Sequence, residues 1–131
     1  MAKTICLLLG LVFIVVGIVG FFSSDLLGAH LTMAHNIVHI VSGLLALYFG
    51  VAGSLSGARG FALVFGAVYL LLGAVGFIMG DPANDRMLTL VKEGNLQFML
   101  GTRDHIIHIA LGVIFLVGAL ATKSGGARTG D

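Results

Sequence analysis

The chain has 131 residues, enough for one domain; 58% are hydrophobic and 10% charged, the net charge is +1 and the mean hydropathy is +1.10. Soluble domains are about a quarter charged, so this composition excludes an ordinary water-facing surface. The near-neutral balance also excludes nucleic-acid binding, which needs a clustered basic face.

Four runs lack Asp, Glu, Lys and Arg: Ile5 to Phe22, Ile37 to Leu55, Phe61 to Met79 and Ile106 to Thr122. At ~1.5 Å per residue each matches the ~30 Å hydrocarbon layer, and backbone groups in lipid must pair within the segment. Four transmembrane helices are predicted, at about 5–22, 34–55, 60–79 and 104–122. The first run is read as a retained span. It is long for a leader core, and "GFFSSDLLG" after it offers no small-x-small cleavage site. Cys6 is read as a small buried hydrophobe.

Between the third and fourth spans lies "GDPANDRMLTLVKEGNLQFMLGTRD", the one region of mixed polarity. It is expected as an extracytoplasmic loop over 80–103, lying as an interfacial helix or a cap and serving as a contact surface. The polar tail at 123–131 is expected to be flexible.

The chain also resembles itself. "LLLGLVFIVVGIVGFF" aligns with "LVFGAVYLLLGAVGFI" at an offset of 56, and "HNIVHIVSGLL" aligns with "DHIIHIALGVIFL" so that His39 meets His108 at an offset of 69. The fold class read from this is all-α: an integral membrane four-helix bundle made from a duplicated hairpin, the repeats parallel about a pseudo-two-fold axis along the membrane normal. Gly17, Gly20, Gly43, Gly73, Gly76 and Gly112 are assigned to close helix packing. Gly43 and Gly112 each follow a histidine by four residues and are expected to clear space below its ring.

Four helices put both termini on one side, with Lys3, Arg59, Lys123 and Arg128; the other side holds Arg86, Lys92 and Arg103. The short basic segments beside the membrane place both termini in the cytoplasm, and the histidines toward the opposite face.

The phrases carried by Asn36, His39 and Gly43, and by Asp104, His105, His108 and Gly112, together with "FGAVYLLLGAVGF", resemble a bacterial four-helix membrane family catalogued as domain of unknown function 4383. The resemblance spans roughly residues 5–120. It implies a small protein of the bacterial inner membrane and brings no catalytic residues.

Four roles remain open for the histidines, of which His39 and His108 are taken as one turn inside the outer ends of their helices. They can serve as interhelical clasps, the bland role of polar side chains in apolar helices. His39 and His108 can ligate a haem or a chlorophyll. Or His35, His39, Asp104, His105 and His108, with His30 in reserve, can hold a transition metal. A proton path through His39 and His108 is a further alternative. No nucleophile with a base and orienting partner is visible, so an enzyme is not expected. The function read from the sequence is a structural or accessory subunit, partnered by the bilayer and by other membrane subunits or copies of itself; the rival is a haem, chlorophyll or metal binder.

Overall fold

The computed structural model describes residues 1–23, 31–93 and 96–122. Within these, α1 (Ala2–Gly20), α2 (Met33–Val51), α3 (Leu55–Met79) and α4 (Thr102–Ala121) are each long and apolar enough to cross a bilayer. Aliphatic side chains such as Leu8, Val15, Leu44, Leu71 and Leu120 stand exposed on their outer faces. In water that surface would be untenable; in lipid it is the expected exterior.

Each start has a local cause. The Thr32 hydroxyl accepts from His35 N at the head of α2, and the Ser54 hydroxyl accepts from Gly57 N at the head of α3. At α4 the Asp104 carboxylate accepts from Gly101 N at 2.8 Å, a negative charge at the positive end of the helix.

The α3 helix begins before the expected position near residue 60 and so includes Arg59. That charge is tolerated because its guanidinium reaches the helix end, where Nε donates to Ala119 O and Thr122 O, both at 3.1 Å. Ala2 N donates to Thr122 Oγ1 at 2.7 Å, so the beginning of α1 and the end of α4 share this end of the bundle.

The helices pair as two antiparallel hairpins, α1 with α2 and α3 with α4, each closed by glycines. A Cβ at Gly10 would lie 3.0 Å from Gly43 O, and one at Gly66 would lie 3.0 Å from Gly112 O. A Cβ at Gly17 would meet Asn36 O and Ile40; at Gly73 it would meet His105 O and Ile109. Gly43 and Gly112 face α1 and α3 in turn, packed against Ile14 and Leu70. They bring the backbones of each hairpin together, and do not open space beneath the histidine rings as the four-residue spacing suggests.

Rings fill the space between the hairpins. Phe13 of α1 stacks on Tyr69 of α3 at 5.4 Å and lies 6.2 Å from Phe115 of α4. Phe61 and Phe65 extend the same core.

The segment after α3 is a β-hairpin, where an interfacial helix was one expectation. Strand β1 (Leu88–Glu93) pairs antiparallel with β2 (Leu96–Leu100), with a bulge between Thr89 and Val91. The sequence signal is Gly94-Asn95 between two apolar runs, a two-residue turn composition. A turn ahead of the hairpin places Asp85 and Arg86 at positive φ. It is tied down at both sides, since Arg86 Nη1 donates to Phe77 O at 2.7 Å and Asp85 O accepts from Thr102 N.

Candidate functional site

His35 is the third residue of α2, and His39 and His108 are the seventh residues of α2 and α4. The last two therefore sit about 9 Å along the axis from the first helical residue. That is deeper than one turn, because both helices begin earlier than the apolar runs suggest.

The three rings converge between the hairpins. His35 and His39 have centroids 4.2 Å apart, and His35 meets His108 edge-on at 5.9 Å. One nitrogen from each of the three lies within 4.8 Å of the others. All are buried, at 2%, 7% and 3% exposure for His35, His39 and His108. Phe13 backs His39 at 5.7 Å and Tyr69 backs His108 at 5.4 Å. Among the described residues, Nδ1 of His39 and Nδ1 of His108 have no hydrogen-bond partner.

The other two nominated ligands part company here. Asp104 lines the same cavity as the three histidines, with one carboxylate oxygen engaged at Gly101 N. His105 lies elsewhere: its Nε2 bonds Arg86 O at 2.8 Å, and its ring sits against Gly76 and edge-on to Phe77. It braces the turn ahead of the hairpin. His30 lies outside the described residues.

Beside the rings is a cavity of about 150 Å³. Phe13, Leu31, His35, His39, Asp104 and His108 form its buried wall. The remaining lining, Val12 and Val16 from α1 with Ile107 and Leu111 from α4, is partly or fully exposed. Among the described residues, no Lys or Arg lines it. Sequence reasoning did not single out Leu31 or Phe98, which lies 5.0 Å from His35; the two apolar runs either side of Gly94-Asn95 are the signal that could have pointed to a strand there.

Four apolar helices around a histidine cluster near one end define a multi-pass membrane protein with a polar site set into its core. The chain belongs to the family described as Domain of unknown function (DUF4383), whose model matches residues 3–121. No curated protein and no solved structure matches it.

Proposed function

We propose that this membrane protein binds one first-row transition-metal ion through His35, His39 and His108. The observation that carries the reading is the convergence of three buried imidazoles with nitrogens within 4.8 Å. A tetrahedral shell with bonds of about 2.0–2.1 Å holds its nitrogens about 3.3 Å apart, so the rings would close by up to about 1.5 Å around an ion. Two Nδ1 atoms without partners in a dry interior cost about 1–3 kcal/mol each, and a bound cation removes that cost where the geometry brings those nitrogens to it.

Imidazole suits zinc, copper, iron and nickel alike, so the donor set selects the class of metal and not the element. Asp104 on the same cavity wall supplies a nearby negative charge to balance the cation. A cavity of about 150 Å³ favours an ion over a haem or a chlorophyll, since even drug-sized ligands need about 300 Å³ or more. The protein is read as a binding protein rather than an enzyme.

The matching contacts at Gly10 and Gly66, and at Gly17 and Gly73, support an origin by hairpin duplication. Lys3 and Arg59 support an orientation with the termini in the cytoplasm of a bacterial inner membrane.

The test is metal content. Detergent-purified protein given zinc or cuprous ion and stripped of excess should retain about one equivalent per chain. His39→Gln and His108→Gln should lose it, whereas His105→Gln keeps it. Wild-type protein that holds no metal under these conditions returns the chain to a purely structural role, as an accessory subunit of a membrane complex.

A further inference from the structure

The three histidines leave a tetrahedral ion one position short, and what fills it depends on where the cavity opens. The buried wall of the cavity carries every polar group it has; the four lining residues with surface exposure are Val12, Val16, Ile107 and Leu111. All four are aliphatic. They come from α1 and α4, one helix of each hairpin, so the cavity opens sideways through the seam between the hairpins and faces the acyl chains.

Among the described residues, the end nearer water is covered. Leu31 is 3% exposed, the Phe98 ring of β2 covers His35 at 5.0 Å, and the Asp104 carboxylate is held down at Gly101 N. An anion entering from water would have to shed its hydration with no Lys or Arg among the described lining residues to receive it. A neutral ligand from lipid meets no such cost.

Resting on the metal-site reading, we propose that the fourth position is served from the bilayer: the site takes a small, uncharged, lipid-soluble ligand, of the size of a diatomic gas, through the α1–α4 seam. Size supports this. A cavity of about 150 Å³, aliphatic on its exposed side with the imidazoles on its buried wall, has room for molecules up to about the size of benzene. Diatomic gases partition into hydrocarbon and coordinate metals with an open position, so one small apolar chamber next to three imidazoles fits both properties.

The experiment uses the full chain in lipid nanodiscs, loaded with cuprous ion without oxygen, with carbon monoxide as probe and copper measured on the same samples. The expected result is one copper per chain and an infrared band from bound carbon monoxide that shifts with the ¹³C isotope. Val16→Phe and Leu111→Trp, which fill the seam, should keep the copper and slow carbon monoxide rebinding after flash photolysis at least tenfold. Phe98→Ala, which uncovers the aqueous end, should leave that rate unchanged. Copper bound with no carbon monoxide band overturns the open position while leaving the metal site intact; a chain that retains no copper removes both. Seam variants that rebind carbon monoxide as fast as wild type, or a tenfold change of rate confined to Phe98→Ala, overturn the route through the bilayer. Comparison of two differently placed seam variants, each checked for copper content, separates a blocked path from a misfolded chain.

Discussion

Asn36 and His105 hold the same place in the two hairpins: the Asn36 side chain fills the position a Cβ would take on Gly20, and the His105 ring fills the one on Gly76. Each is the fourth residue of its helix, three residues before the histidine, His39 or His108, that faces the centre. One face of each helix therefore closes its own hairpin, while the adjoining face looks across to the other.

This division assigns His105 to structure. His105→Phe should leave metal content at the wild-type level but remove the bond to Arg86 O, lowering stability by about 1–3 kcal/mol. Unfolding in mixed detergent measures the loss, and faster amide exchange around Met87 and Thr102 would localise it. Loss of metal with unchanged stability would contradict the assignment.

The glycine seams make a sharper contrast. A Cβ at Gly112 would lie 2.6 Å from Leu70 N and 2.8 Å from Gly66 O, backbone atoms that move only with the helix. Gly112→Ala should destabilise by about 1–3 kcal/mol, as overpacking does. A Cβ at Gly60 meets nothing within 4 Å. Gly60→Ala, in the same fold, should be neutral or stabilise by up to about 1 kcal/mol through helix propensity. Equal effects in the two variants would show that the close backbone approach is not what holds each hairpin.

Sidedness can be read with single cysteines. Ser56 and Ala83 are exposed at opposite ends of α3, and the native Cys6 is buried. Ser56→Cys should react with an impermeant thiol reagent only from the cytoplasmic face, and Ala83→Cys only from the other. Reversed labelling would invert the orientation; labelling of both from one face would contradict a four-span chain.

The spans were legible because a water-facing chain rarely runs the thickness of a membrane without a charge, whereas a lipid-facing helix must. Their ends were less so: Arg59 belongs to α3 because a long cationic side chain can reach the helix terminus, and counting charge-free residues cannot register that reach. The histidine spacings singled out His35, His39 and His108, which cluster, but not the separation of His105 from them. At about 100° per residue, His35 lies about 40° to one side of His39, whereas His105 lies about 60° to the other side of His108. One rotation turns a ring into the shared centre, the other turns it into its own hairpin. Which direction is inward depends on packing between helices, and the glycine contacts that set it are visible only in three dimensions.

X-ray absorption at the metal edge tests the central claim most directly, because it counts imidazoles around the ion itself. A site built from three histidines predicts three imidazole nitrogens at about 2.0–2.1 Å in the loaded wild-type protein, falling to two in any variant of His35, His39 or His108 that still retains metal. A shell of oxygen or sulfur donors, or an imidazole count unaltered by those three substitutions, would contradict it.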